Sequence, residues 1–187
     1  MKISVMICTR NRAASLRATL KSVFAQQFAP HYDFEVIVVD NASTDTTRLV
    51  VAESIAALPA RHFGRLRYCH EPRAGLSNAR NAALGAAQGK LLVFIDDDIW
   101  PDTNWLNEIQ QEFATDNDLY LLGGRVLLAQ ENLQPVGIVT SQQRQILTTP
   151  DGAAMVIGAN IAFRRELLAQ IGGFDPRLGA GGCFAAG

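Results

Sequence analysis

The chain has 187 residues, 48% of them hydrophobic and 19% charged, and it carries a net charge of −1 with an isoelectric point near 6.3. That is enough chain for one domain with a substantial core. The balanced charge argues against nucleic-acid binding driven by phosphate neutralisation, and no stretch of 18 apolar residues exists to form a transmembrane helix.

The first apolar run, Ile3 to Cys8, reads as a strand and breaks into Thr9-Arg10-Asn11-Arg12. It is too short for a signal peptide. Leu16, Leu20, Val23 and Phe24 then fall on one face of a helix. Phe34 to Val39 is a second buried strand, ending in Asp40-Asn41-Ala42-Ser43-Thr44-Asp45. Ser43 suits an N-cap and Asp45 a first turn, with Leu49, Ala52, Ile55 and Ala56 as the apolar stripe of the second helix. Leu66 to Glu71 reads as a third strand. Ser77 is placed to cap a third helix with a small-residue face of Ala79, Ala82, Ala83 and Ala86, which Gly89 stops. The fourth strand is LLVFI, Leu91 to Ile95, and it runs directly into Asp96, Asp97 and Asp98. A helix from about Thr103 would bury Trp105, Leu106, Ile109 and Phe113. Leu119 to Leu128 holds one or two further strands, and residues 130–152 are a long polar connection. Met155 to Phe163 is a strand candidate, and Arg164 to Ile171 a short helix ended by Gly172-Gly173.

Strand and helix alternate four times at the spacing of right-handed βαβ units, which predicts an α/β fold with an open, mostly parallel twisted sheet flanked by helices. Ligands of such sheets bind beyond the carboxyl ends of the strands. Three of the four strands deliver polar residues there: Thr9 to Arg12, with Arg10; Asp40 to Ser43, with Asn41; and Asp96, Asp97 and Asp98. No GxGxxG or GxxxxGK[ST] motif is present, which disfavours a dinucleotide site and excludes a P-loop.

In an extended chain Asp96 and Asp98 share a face. Two carboxylates about 5–6 Å apart repel by roughly 3 kcal/mol at an effective dielectric near 20, so a positive group is expected between them, and hard oxygen ligands suit Mg²⁺ or Mn²⁺. A polar loop after a core strand is the alternative. Arg80 is expected in the first turn of its helix, where the macrodipole disfavours a cation unless an anion binds there. With Arg10, Arg12 and Arg73 on the same rim, an anionic ligand is favoured. Cys8, Cys69 and Cys183 read as buried free thiols of a reducing compartment, and the histidines at 31, 62 and 70 lack ligand spacing. Trp105 reads as core, while Trp100 beside the acids is free to stack on a sugar or acceptor ring.

Five segments, ISVMICTRNR, VIVVDNASTDTT, GLSNARNAAL, LLVFIDDDIWP and GANIAFRRELLAQIGGFDPRLGAGG, together resemble the family-2 glycosyltransferases, inverting enzymes of the GT-A fold, and occur in that family's order. The resemblance implies a nucleotide-diphospho-sugar donor and a carbohydrate or lipid-linked acceptor. It implies that Thr9 and Asp40 hold the base with Arg80 close by, that Asp96 and Asp97 contact ribose or donor sugar, and that Asp98 ligates Mg²⁺ or Mn²⁺ across the diphosphate. Gly158, Ala159 and Asn160 would line the sugar or acceptor side. Residues 1–98 would form the nucleotide-binding half and 99–187 the start of the acceptor half of one domain. The location implied is cytoplasmic, peripheral to the inner membrane face where the acceptor is a lipid.

The family's general base is an acid just after a GGFDP and glycine-rich stretch, and the sequence ends at Gly187 before such a pair. The expectation is therefore a shortened transferase whose base lies beyond Gly187. Asp175, preceding Pro176, reads as a turn former. Of three rivals, the first two are disfavoured, because the acids here follow the fourth strand and TRNRAAS lacks glycine and lysine. A haloacid-dehalogenase-like phosphatase places its DxD after the first strand, and a nucleotidyltransferase needs a glycine-rich, lysine-containing loop there. The third is a non-catalytic nucleotide-sugar-binding module.

Overall fold

A computed structural model describes residues 1–27, 33–128, 143, 145–146 and 158–181. In chain order the elements are β1 (Ile3–Thr9), α1 (Ala13–Phe24), β2 (Phe34–Asp40), α2 (Thr47–Ala57), β3 (Leu66–His70), α3 (Leu76–Ala86), β4 (Leu91–Asp96), α4 (Trp105–Thr115), β5 (Leu121–Gly123), β6 (Asn160–Arg164) and α5 (Leu168–Ile171). They form a six-stranded sheet in the order β3-β2-β1-β4-β6-β5. β1 to β4 pair in parallel, and β6 lies antiparallel between β4 and β5. The predicted alternation and mostly parallel sheet are both present.

The strands are apolar on both faces because both faces are covered. Ile3, Val5 and Ile7 of β1 point into one cluster with Leu16, Leu20 and Val23 of α1, Val50 and Val51 of α2, and Leu106, Ile109 and Phe113 of α4. Met6 points the other way, with Ile37, Val39, Leu92 and Phe94, beneath Ala79 and Ala83 of α3. Short alanine side chains let α3 lie close to the sheet. Each large aliphatic residue buried this way contributes about 1.5–3 kcal/mol.

Two helix readings need correction. The apolar stripe expected on α2 faces solvent: Leu49 is 55% and Ile55 37% exposed, and the buried face is Thr47, Val50 and Val51. The caps also differ. Asp45 receives the Thr47 N–H at 2.9 Å, while the Ser43 hydroxyl receives the Asn11 N–H. Gly75, at φ 127°, precedes α3, and Ser77 is its second residue, donating to the Leu178 carbonyl at 2.7 Å. The strand expected over Met155 to Phe163 is β6, Asn160–Arg164. Residues 155–157, most of the polar connection, His31 and Cys183 lie outside the described residues. Among the described residues no helix is long and apolar enough to cross a membrane.

Candidate functional site

Sheet register brings the polar residues level. Thr9 pairs with Asp40, Cys8 with Asp96, and Asp40 with His70. The carboxyl ends of β1, β2 and β4 therefore share one rim, and two bonding systems are built on it.

The first spans β2 and β3. One Asp40 oxygen receives the Ser43 N–H at 2.9 Å and the other the Tyr68 hydroxyl at 2.7 Å. Burial and then the Asp40 bond push the tyrosine up to about 12. The Asn41 amide donates to the carbonyls of Glu71 and Arg73 at 3.2 and 2.7 Å and accepts from Gly75 N–H at 2.9 Å. Glu71 pairs with Arg73 at 2.9 Å, and the arginine's side-chain bond lowers it to about 2. Arg73 is thus already matched to an acid on this rim.

The second spans β1 and β4. β4 ends at Asp96, so the strand alternation expected for the three acids stops there. Asp97, not Asp96, shares a cation with Asp98. Arg12 places Nε 3.4 Å from Asp97 Oδ1 and Nη2 2.6 Å from Asp98 Oδ2. Thr9 Oγ1 donates to Asp97 Oδ2 at 2.6 Å, and Thr19 Oγ1 to the Asp97 carbonyl at 2.9 Å. Burial raises the pKa of both Asp96 and Asp97; Arg80 opposes this at Asp96 and the Thr9 bond opposes it at Asp97. The Asp98 side chain is 44% exposed.

Arg80 is the fifth residue of α3, at the end of its first turn. Its guanidinium carbon lies 5.8 Å from the Phe94 ring centre and 5.2 Å from that of Phe174, a cation resting against a pair of rings that themselves meet edge to face. Phe174 is positioned by Asn81, whose amide exchanges two bonds with the Phe174 backbone at 2.7 and 2.8 Å. A Cβ on Gly158 would come within 2.5 Å of Arg80 Nη2, so this backbone passes directly over the guanidinium. Ala159 is buried, its carbonyl facing the Asp96 N–H at 3.4 Å. Asn160 receives Trp105 Nε1–H at 3.1 Å and donates to the Arg125 carbonyl at 3.0 Å. Arg10 is exposed, and Trp100 is 60% exposed beside the acids. Asp175 accepts from Arg177 N–H at 2.9 Å and from its side chain, which lowers Asp175 to about 2; it is the turn former expected.

Asn11 and Asn81 were not singled out in the sequence. Asn11, at φ 54°, accepts Thr44 N–H at 2.7 Å and Asp45 N–H at 3.3 Å, tying the loop after β1 to the loop after β2. The positive φ favours Asn among non-glycine residues, a local signal visible beforehand in TRNR.

Among the described residues no group of three or more His, Cys, Asp or Glu is arranged to hold a metal. The donors at the end of β4 are hard carboxylate oxygens, with that of Asp98 open to solvent. This suits a divalent ion of the Mg²⁺ type, which is commonly held by one or two carboxylates together with substrate phosphates.

The family model for Glycosyl transferase family 2 matches residues 4–172. An uncharacterized glycosyltransferase of Nostoc sp. is 29% identical over 195 residues, covering 98% of this chain and 58% of the relative. A mannosyltransferase from Pyrobaculum calidifontis, solved in complex with GDP-Man and Mn²⁺, superposes with a TM-score of 0.72 at 25% identity, over 96% of this chain and 49% of its own. S. aureus TarS 1–349 in complex with UDP-GlcNAc gives 0.72 at 23% identity, over 91% of this chain and 47% of its own, a likeness of fold. This chain thus spans about half the length of these proteins. With a sheet of the GT-A kind, the acid triplet at the end of β4 and the family match over most of its length, the chain belongs to glycosyl transferase family 2.

Proposed function

We propose that this chain binds a nucleotide-diphospho-sugar over the carboxyl rim of its sheet and takes part in transfer of the sugar to an acceptor hydroxyl with inversion, assisted by a divalent metal. The observation that carries the reading is the Asp96–Asp98 triplet at the end of β4, buried on the Thr9 side and open at Asp98. Relatives of the same family or fold bind GDP-Man with Mn²⁺ and UDP-GlcNAc.

In this reading the base lies along Thr9, Asp40 and Asn41, where the side-chain bonds fix the shape of the wall it meets. Asp96 and Asp97 face ribose or donor sugar. Arg10 and Arg80 supply positive charge toward the diphosphate, and Asp98 would hold Mg²⁺ or Mn²⁺ with the phosphate oxygens. When bound, that ion supplies charge neutralisation for the departing nucleoside diphosphate, worth several kcal/mol. Trp100 and the segment Gly158 to Asn160 line the sugar or acceptor side, which takes a carbohydrate or lipid-linked hydroxyl. Inversion by in-line attack requires a base on the acceptor proton. Asp175 does not suit that task, since its pKa of about 2 makes it a weak proton acceptor and Arg177 occupies both its oxygens.

Calorimetric titration with UDP, GDP and dTDP, with and without Mn²⁺, tests the reading. Binding of at least one nucleotide, tighter with Mn²⁺, is expected. Absence of heat from all three under both conditions overturns it, and a donor-hydrolysis assay then separates a transferase from a module that binds without turnover.

A further inference from the structure

Arg12 has a chemistry of its own within this site. It lies on the loop between β1 and α1 with its side chain 51% exposed, yet its guanidinium is drawn onto two acids. Asp97 is 5% exposed and already holds the Thr9 hydroxyl, so its position does not depend on Arg12. Asp98 is different. Its Oδ2 lies only 2.6 Å from Arg12 Nη2, and the side chain is 44% exposed to solvent.

The geometry points to Arg12 as a resident counter-ion that occupies Asp98 before the donor arrives and must release it for a divalent cation to bind there. The inference rests on the reading of Asp98 as the metal-holding acid. A guanidinium and a divalent cation on one carboxylate repel each other even when each takes its own oxygen, so the ion weakens the hold of Arg12 on Asp98. Metal without nucleotide therefore loosens Arg12 with no new partner for it. Metal arriving with a diphosphate gives the freed guanidinium a second anion whose geometry suits its planar fork. Arg12 thereby couples metal occupancy to nucleotide occupancy. The other arginines nearby lack this position: Arg17 pairs with Glu53 at 2.6 Å on the helix surface, and Arg73 with Glu71.

The test is Mn²⁺ binding alone, followed by loss of the free-ion electron paramagnetic resonance signal, for the wild type, Arg12→Gln, Arg12→Lys, Asp98→Asn and the control Arg17→Gln. Without nucleotide, Arg12→Gln should bind Mn²⁺ up to about five-fold tighter, the scale set by an exposed ion pair. Arg12→Lys, which keeps the charge and loses the fork, should fall between. Arg17→Gln, which removes the same charge elsewhere on the surface, should match the wild type. With UDP or GDP added, the advantage of Arg12→Gln should vanish or reverse. An Arg12→Gln protein with the wild-type affinity, or with none detectable in either, overturns the inference; so does an equal gain in Arg17→Gln, which marks a general field effect. If Asp98→Asn binds Mn²⁺ as well as the wild type, the metal reading itself fails. Loss of binding in Asp98→Asn with no change in Arg12→Gln removes the counter-ion role alone.

Discussion

The two ends of the same rim solve different problems. At β2–β3, Asp40 and Asn41 direct their oxygens and amide hydrogens at backbone groups and a tyrosine hydroxyl, and Glu71 closes on its neighbour Arg73. At β1–β4, Asp97 is buried and Asp96 half-buried against their preference for water, and Asp98 is balanced by an arginine from the loop after β1. The first arrangement is complete as it stands and fixes the loops. The second carries charge held in readiness, of the sort that accumulates at functional sites. In the proposed reading, scaffold and chemistry are thus divided between neighbouring strand ends.

The strongest way to break this comparison is to remove the Asn41 amide. Asn41→Ala leaves two carbonyls and the Gly75 N–H without their partner. A loss of about 3 kcal/mol is expected, read as a lower denaturation midpoint with an unchanged slope. Nucleotide affinity should fall equally with and without Mn²⁺, because the wall of the pocket is what changes. A stable variant with a defect confined to the Mn²⁺ condition would move Asn41 to the chemical side of the division.

Gly158→Ala probes the other end. Its new methyl must displace the Arg80 guanidinium, the far end of a flexible side chain, so stability should fall by under about 1 kcal/mol. The guanidinium would leave its seat against Phe94 and Phe174 and lose its influence on Asp96. Nucleoside diphosphate affinity measured by calorimetry should drop several-fold while nucleoside affinity stays constant. Equal losses for both ligands would show that Arg80 does not face phosphate.

The sheet was legible because LLVFI is continuously apolar and the first two strands nearly so, a pattern few arrangements other than a doubly covered strand accept. The rim followed from topology once the strands were placed. What escaped was set by partners distant in sequence. α2 has apolar residues on two sides, Leu49 with Ile55 and Val50 with Val51, and periodicity does not choose between them. Packing against the sheet and α1 selects the valines, and Asp45 fixes the start of the helix at Thr47. The amides of Asn11, Asn41 and Asn81 work across 33, 32 and 93 residues, and no periodic signature marks such contacts. Arg12 was legible as a cation on the rim. Its seat between Asp97 and Asp98 depended on the strand ending at Asp96, a boundary that an apolar-to-acid transition leaves open by a residue or two.

The smallest expected effect separates the two ends by pH. Glu71 is depressed from its ordinary 4.5 to about 2, chiefly by its side-chain bond to Arg73. A depressed acid binds fewer protons folded than unfolded, so its contribution is complete above pH 4.5 and is lost as pH falls toward 2. Arg73 is 72% exposed, and solvent screening keeps that contribution small. Glu71→Gln should remove this part of the acid-induced loss, so the stability gap between wild type and variant narrows from pH 5 to pH 2, followed by chemical denaturation at each pH. Nucleotide binding at neutral pH should be unaltered apart from the common effect of a looser wall, with no change in its Mn²⁺ dependence. A gap that stays constant down to pH 2 would mean that Arg73 does not hold Glu71 in solution, leaving that arginine free to face the ligand and erasing the line between the two ends of the rim.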